Sequence, residues 1–388
     1  MRALISGAGV AGPALATALG RHGIEATVVE AADRLRTSGF AVDFRGATHM
    51  SVLTELGVLD ELRAVQTHGG AMQSVDEHGR EIYRLPAEFA GGEVEVRRSD
   101  LSRILYERSL AHADYLFGDT IVGLTEVADG VRVDFARAES RTFDIVIGAD
   151  GLHSGVRRLA FGPERDHVKH LGYYIAGWDL PNDRGYGTTA VQYNVPGRMA
   201  SVGADFRDPS QAGALFVFKG ERRDVDWRDL VRQQRMITEA FAGMRWHVPY
   251  LLDTLRNVDE MYFDSISRVR APRWTRGRVA LLGDAAWGVT LGGMGVGTGV
   301  VGAYVLAGEL ALARGDHRAA FEAYERRMRA YAGRWQKGVS PGQFLAPSTA
   351  ALLWLRNAMF ATKTVQKMMV AGTTKLAADI ALPDYSAA

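Results

Sequence analysis

Three groups of residues in this chain have types and spacing that can do chemistry, and each is built from glycine and a carboxylate. Near the N-terminus, GAGVAG sets Gly7, Gly9 and Gly12 in G-x-G-x-x-G spacing, with Glu30 further on. In the middle, GADGLHSGVRR places Asp150 and Gly151 ahead of Ser154, Arg157 and Arg158. Later, GDAAWGVTLGGMGVGTG sets Gly283 and Asp284 ahead of a loop holding Gly288, Gly292, Gly293, Gly295, Gly297 and Gly299. The first spacing is that of a dinucleotide fingerprint, provided that it follows a strand and opens a helix. Gly7 then permits the tight turn, Gly9 lets backbone approach a pyrophosphate, and Gly12 allows close helix–strand packing. Val10 and Ala11, with Gly12, carry amides of the helix N-terminus, whose dipole favours phosphate, and Glu30 is placed to accept hydrogen bonds from a ribose.

The elements that must position these residues can be read from periodicity. RALIS is a short apolar strand, PALATALGRHG a helix that stops at Gly23, and IEATVVE a second strand ending in Glu30. A buried strand runs from Asp144 to Gly148 ahead of Asp150, and VALLG precedes Asp284. VVGAYVLAGELALA reads as a long apolar helix after the glycine loop, and DHRAAFEAYERRMRAYAGRW as an amphipathic helix starting at a capping Asp316. Between 166 and 267, YYIAGWDL, TTAVQYNV, RMASVGADF and ALFVFKG have strand composition with turn signals between them.

Composition bounds the rest. The 388 residues suffice for two domains, and with 23% charged residues and a formal net charge of +1 nothing favours nucleic acid or an anionic membrane as partner. The absence of cysteine excludes disulfides, thiolate nucleophiles and cysteine-held metals. MRALISGAGVAG enters a strand at once, which points to a cytoplasmic protein, and the apolar run STAALLWLRNAMFATKTVQKMMVAG is interrupted by Arg356, Lys363 and Lys367, as in a packed helix. His167 and His170 with Asp166 form an H-x-x-H pair that reads as a solvated loop, since no third metal ligand is evident. Ser154 lies in GLHSG, which is not a nucleophile elbow.

NAD and FAD share the first fingerprint, so it does not choose between them. Taken in order, however, the glycine fingerprint, GADGLHSGVRR and GDAA resemble the class A, single-component flavin monooxygenases, the para-hydroxybenzoate hydroxylase-like group that includes the tetracycline-inactivating monooxygenases. The likeness runs from residue 2 to about 330. It implies an α/β fold: a Rossmann-like FAD-binding domain (1–75, 98–165 and 268–330), an inserted β-sheet substrate domain (76–97 and 166–267), and C-terminal helices over 331–388. It implies that FAD is the resident cofactor and NADPH or NADH a transient reductant. Asp284 would hydrogen-bond the ribityl chain, and the backbone at Gly295, Val296 and Gly297 would face the flavin pyrimidine edge. Asp150 resembles the aspartate that holds the pyrophosphate region and the nicotinamide cofactor. Arg98, ahead of a Ser-Asp-Leu helix start, resembles the arginine that contacts FAD, with Ser99 or Asp100 suited to the N-cap.

SGFAVDFRGATHMSVLTELG resembles the family stretch that passes the isoalloxazine ring, and Asp43 and Arg45 are the polar side chains it would present there as catalytic or substrate-binding groups. Their bland reading is a surface ion pair one strand-step apart. Trp178, Tyr193, Phe206, Phe216 and Phe218 either line a pocket or form plain core, and strand alternation favours core. The family mechanism would have NAD(P)H reduce FAD and a C4a-peroxyflavin oxygenate an apolar, polycyclic aromatic or polyketide-like small molecule. Two departures stand against the pattern: Trp287 replaces the usual His after GDAA, and Gly297 the usual Asn in a loop without proline. They open an alternative, FAD retained structurally in a non-redox cyclase of natural-product biosynthesis.

Overall fold

In the computed structural model, residues 1–385 are described apart from 36–39, 68, 88–90, 224–228, 293–294, 335, 337–339 and 377–379. The apolar runs near the N-terminus become β1 (Arg2–Ser6) and β2 (Glu25–Glu30), joined by α1 (Ala11–Arg21). Pro13 falls in the first turn of α1, where its missing N–H costs nothing, and the chain leaves past Gly23 at φ +68°, a left-handed turn that glycine adopts without strain. Next come β3 (Ala41–Phe44), α2 (Gly46–Glu55), α3 (Leu59–Ala64), β4 (Met72–Val75), β5 (Glu81–Leu85), β6 (Val94–Arg97), α4 (Arg98–Ser109) and β7 (Ala113–Phe117). A meander of β8 (Ile121–Val127), β9 (Gly130–Phe135) and β10 (Arg141–Phe143) leads into β11 (Ile145–Gly148), α5 (Gly155–Phe161) and α6 (Glu164–His167).

The second half opens with β12 (Val168–Pro181), β13 (Ala190–Val195), β14 (Arg198–Ala204) and β15 (Gln211–Lys219), backed by α7 (Leu230–Phe241) and α8 (Val248–Leu255), and closes with β16 (Tyr262–Val269). The chain returns through β17 (Thr275–Arg276) and β18 (Val279–Leu281) to α9 (Asp284–Trp287), α10 (Gly295–Leu312), α11 (His317–Ala332), α12 (Pro341–Leu345), α13 (Ala350–Ala361) and α14 (Lys363–Leu376).

Two sheets result. The first has the order β17-β18-β11-β1-β2-β7, parallel except at β17, and its central strands are buried on both faces, which is why they read as continuous apolar runs. α1 and α10 pack together against it. α10 is long and apolar enough to cross a membrane by length and composition, but it carries Glu309 and is mostly buried inside this core. The second sheet has the order β16-β12-β15-β14-β13-β4-β5 and is antiparallel except where β13 meets β4.

Three expectations need correction. The crossing into the second sheet comes before Met72 rather than after residue 75, because β4 pairs with β13, and the return comes after Val269, because β16 pairs with β12 throughout. β6 belongs to neither sheet: Val94–Arg97 pairs with β3 as a two-stranded ribbon. His167 and His170 are not in a solvated loop. Each ring donates from Nε2 to a backbone carbonyl, His167 to Phe161 at 3.0 Å and His170, within β12, to Gly220 at 2.9 Å.

Candidate active site

The three motifs leave one edge of the first sheet side by side. Ser6 is paired in register with Gly148, and Gly148 with Leu281, so the turns at Gly7, Asp150 and Gly283 start from one line. β1 lies between β2 and β11, the point where the order of connection reverses, and open α/β sheets bind ligands in that crevice.

At the first turn, Gly7 has φ +107°, and a Cβ there would lie 2.5 Å from the Ala149 carbonyl oxygen. A Cβ on Gly12 would lie 1.9 Å from the Gly7 oxygen. Both glycines are demanded by the protein's own packing. Gly9 differs, because its Cβ would meet nothing within 4 Å. Among the described residues no atom accounts for glycine there, whereas a diphosphate approaching the backbone would. Val10 and Ala11 follow at the N-terminus of α1, whose first amides have no partners within the helix. Glu30 turns back onto this loop: the Ala8 N–H donates to Oε2 at 2.8 Å and the Ala32 N–H to Oε1 at 2.9 Å. The residue expected to accept from a ribose therefore also clamps the turn, and each oxygen keeps a second lone pair for a sugar hydroxyl.

At the second turn, Asp150 accepts from the hydroxyls of Ser154 and, at 3.3 Å, Ser6, and from the Val156 N–H at 3.0 Å. Burial pushes its carboxyl up, and the hydrogen bonds from Ser154 and Val156 oppose that rise. Ser154 in turn accepts the Arg157 N–H at 2.9 Å, capping α5. This places Asp150 as the organiser of its own loop beside the crevice.

At the third turn, Asp284 opens α9. Burial pushes its carboxyl up, opposed by Arg98 and reinforced by Asp264, and among the described residues no donor hydrogen-bonds it. A Cβ on Gly295 would stand 3.3 Å from Asp284 Oδ1, so the carboxylate lies against the first residue of α10. A partly buried carboxylate with no donor among the described residues is an acceptor suited to a ligand hydroxyl. Beside it Gly295, Val296 and Gly297 form the first turn of α10, whose amides favour negative charge. Gly293 of the same loop lies outside the described residues. The open face of Gly9 and Asp284, which no donor among the described residues meets, together fit a dinucleotide whose diphosphate would rest on α1 and whose other end would reach α10.

Trp287 faces inward. Its Nε1 donates to Thr298 Oγ1 at 3.2 Å, and its ring packs on Trp274 with centroids 4.7 Å apart. It thereby pins α9 to the start of α10. Arg98 is the first residue of α4 and donates its backbone N–H to the Phe40 carbonyl at 3.3 Å. The N-cap of α4 is Arg97 rather than Ser99 or Asp100, because the extended backbone of β6 ends there. Asp100 instead pairs with Arg207.

Asp43 and Arg45 do form an ion pair, Arg45 Nε to Asp43 Oδ2, but not at the open surface: their side chains are 18% and 14% exposed. Burial pushes the Asp43 carboxyl up and Arg45 opposes it.

Alternation along the second sheet separates its aromatics. Trp178, Tyr193, Phe216 and Phe218 point to the face packed by α7 and α8 and are core. Phe206 is 48% exposed. The opposite face carries Tyr173, Ile175, Met199, Leu215, Val217 and Ile266, grouped with Phe40, Tyr262, Leu291 and Leu345. Leu291, from the loop before α10, holds φ +58°, an uncommon conformation for a branched side chain. This face, which joins flavin-loop residues to the sheet, was hidden in the sequence because both strand faces are apolar.

Two further residues organise the site without a local signal. Arg157, fully buried, donates from Nη1 to the Ala285 carbonyl at 2.9 Å and from Nη2 to the Leu152 carbonyl at 2.5 Å, joining the second and third motifs. His153 lies between Glu164 and Asp264, each 3.1 Å away, and so joins the Asp150 loop to β16. The edge of β16 in turn holds the loop after α9, with Val269 N–H donating to the Gly288 carbonyl at 2.8 Å and Thr290 N–H to that of Ser267 at 3.0 Å.

Comparison with known proteins agrees with this geometry. Residues 1–337 match the model of the family described as FAD binding domain. An uncharacterized protein of Mycobacterium tuberculosis is 38% identical over 344 residues, covering 87% of this chain and 92% of its own. A flavin-dependent monooxygenase of Legionella longbeachae is 33% identical over 343 residues, 87% of each chain. Among solved structures, the tetracycline destructase Tet(55) superposes with a TM-score of 0.82 at 31% identity, over 99% of this chain and 98% of that one. The chain belongs to the FAD-binding domain family as a class A flavin-dependent monooxygenase.

Proposed function

We propose that this enzyme takes electrons from NADPH or NADH and uses O2 to oxygenate an apolar small molecule, polycyclic aromatic or polyketide-like, held between the flavin loop and the inner face of the second sheet. The observation that carries the reading is the register of Ser6, Gly148 and Leu281, which brings three cofactor motifs to one line. FAD, when bound, supplies the electron storage and oxygen activation that no side chain of this chain can supply.

The protein's part is positional. The Gly9 turn and the amides at Val10, Ala11 and Gly12 hold the diphosphate, and Glu30 and Asp284 accept from the sugar hydroxyls at its two ends. The amides of Gly295, Val296 and Gly297 stabilise negative charge at the ring edge, which is worth more in a dry site than in water. Asp43 and Arg45, largely withdrawn from solvent, orient the substrate or the nicotinamide phosphate. The apolar face of Phe40, Leu215, Tyr262 and Leu291 excludes water and takes a flat apolar ligand. A structural neighbour named for destroying tetracycline supports a polycyclic substrate. A net charge of +1 without charge runs supports a small molecule, rather than nucleic acid or an anionic membrane, as the partner.

The purified protein should be yellow, and NADPH or NADH should bleach it faster in the presence of a hydrophobic phenol or polyketide that it accepts, with matching oxygen uptake. A yellow protein that neither nicotinamide bleaches, with or without such compounds, would replace this reading by the non-redox cyclase.

A further inference from the structure

Gly297 departs from the asparagine usual in this family, and the structure holds what stands in its place. A Cβ on Gly297 would lie 2.5 Å from Cε1 and 2.6 Å from Nε2 of His49, a residue of α2 that is 2% exposed. The imidazole cannot easily yield. Its Nδ1 accepts the Arg45 N–H at 3.1 Å, its Nε2 is 3.1 Å from the Tyr331 hydroxyl, and its ring meets Phe44 edge to face at 5.9 Å. Because Nδ1 accepts, the proton of the neutral ring is on Nε2 and is donated to Tyr331.

The bond to Arg45 has a further consequence. Arg45 is the N-cap of α2, with extended backbone at φ −141° and ψ 142°, and no side chain of its own caps the helix. His49 closes that end from four residues on, as the reciprocal arm of a capping box does. The same contact fixes the direction in which Arg45 leaves β3 to meet Asp43. One buried ring therefore touches the first turn of α10, the ribbon that carries the Asp43–Arg45 pair, and α11.

We infer that His49 is a positioning residue for the flavin: its ring fills the space of the absent Gly297 side chain and sets the Asp43–Arg45 pair and the α10 amides at a fixed separation across the cofactor. The inference rests on the FAD reading above. Gly297 is then glycine because His49 is histidine, and the two positions form a complementary pair.

The test is a double-mutant cycle read as FAD affinity by flavin fluorescence, with apoprotein Tm measured alongside. Gly297→Ala in the native background should weaken FAD binding about tenfold or more, since the ring must move, whereas the same change beside His49→Ala should cost less than about threefold. His49→Asn, whose Oδ1 stands near the Nδ1 position, should hold the Arg45 N–H and keep FAD affinity within about threefold of native, while His49→Leu should not. At saturating FAD, His49→Leu should also shift the visible flavin bands and His49→Asn should leave them in place, a difference that packing alone would not produce. Equal losses from Gly297→Ala in both backgrounds, in FAD affinity and in Tm, would overturn the inference, as would native bands in His49→Leu. If Gly297→Ala does not fold, recovery of folding in the His49→Ala background supports the pair, and failure in both backgrounds counts against it. A native protein that binds no FAD would instead sink the cofactor reading, leaving the His49–Gly297 coupling to be read from the apoprotein Tm values.

Discussion

Arg157 and Ala285, 128 residues apart in the chain, meet through a 2.9 Å hydrogen bond from the guanidinium Nη1 to the carbonyl oxygen. This bond ties the start of α5, which Asp150 and Ser154 organise, directly to the Asp284 helix. Arg157→Met would keep the volume and leave the Ala285 and Leu152 carbonyls without their donor. Each lost partner costs about 1–3 kcal/mol. A fall in apoprotein Tm of about 5 °C or more is expected, together with weaker FAD binding. Arg157→Lys should recover little of either, since one ammonium cannot serve two carbonyls from a planar fork. An unchanged Tm in both variants would remove Arg157 from the frame of the site.

Gly9 and Gly12 look alike in the sequence and differ in the structure. Gly9→Ala adds a methyl to open space, so the apoprotein should melt within about 1–2 °C of native. The methyl stands where the diphosphate must come close, and FAD affinity should fall about a hundredfold, some 2.7 kcal/mol. Gly12→Ala drives a Cβ to 1.9 Å from the Gly7 oxygen and should destabilise the fold itself. Thermal melts with and without FAD separate the two effects. Equal melting of the two apoproteins would contradict the assignment of Gly9 to the ligand.

How far the sequence could lead is visible in these same residues. The close packing at Gly7 and Gly12 is legible because it depends on spacing within a few residues and on the strand and helix beside them, whereas the role of Asp284 is reached only through the family resemblance. Arg157, His153 and His49 were not legible, because what each does depends on a partner more than a hundred residues away or on a ring seated against another helix. The substrate face failed for a different reason. β12 and β15 carry apolar side chains on both faces, so alternation shows two sets, and only the packing of α7 and α8 tells that Trp178, Phe216 and Phe218 look away from the flavin loop. Glu30 was read for its ribose and proved also to hold the Ala8 amide, a loop contact that no motif encodes.

Asp284 should trade stability for binding. Its carboxyl is pushed up by burial, so the ionised form is disfavoured in the folded apoprotein. For a carboxyl raised on folding, that cost is present above the folded pKa and is relieved as pH falls through it. Asp284→Asn removes the charge and should raise the apoprotein Tm at pH 7 relative to native, with the gain shrinking toward pH 4. FAD affinity should fall about tenfold to a hundredfold, because a charge-assisted hydrogen bond to the cofactor contributes about 1.5–3 kcal/mol. A variant that binds FAD as native does would take Asp284 out of the site, and one that melts lower at pH 7 would contradict its desolvation.

His153 gives the joint between the Asp150 loop and β16 a pH dependence. Burial works against the charged ring, but hydrogen bonds to Asp264 and Glu164 outweigh it and hold its pKa up at about 9. Glu164 is correspondingly held low, despite its own burial, by His153 and by the nearby Arg157 and Arg222. A histidine raised on folding from an ordinary value near 6.5 contributes stability that is fully present below about pH 6.5 and is lost as pH rises through about 9. Apoprotein Tm should therefore decline between pH 6.5 and 9 by more in the native protein than in His153→Gln, and the two curves should converge near pH 10. His153→Gln should also weaken FAD binding at pH 7 more than at pH 9.5, since the strand that holds the Gly288 and Thr290 backbone loses its anchor only where the native ring is charged. Parallel Tm curves for the two proteins across this window would show that the ring is not charged in the fold, whatever its distance from the carboxylates.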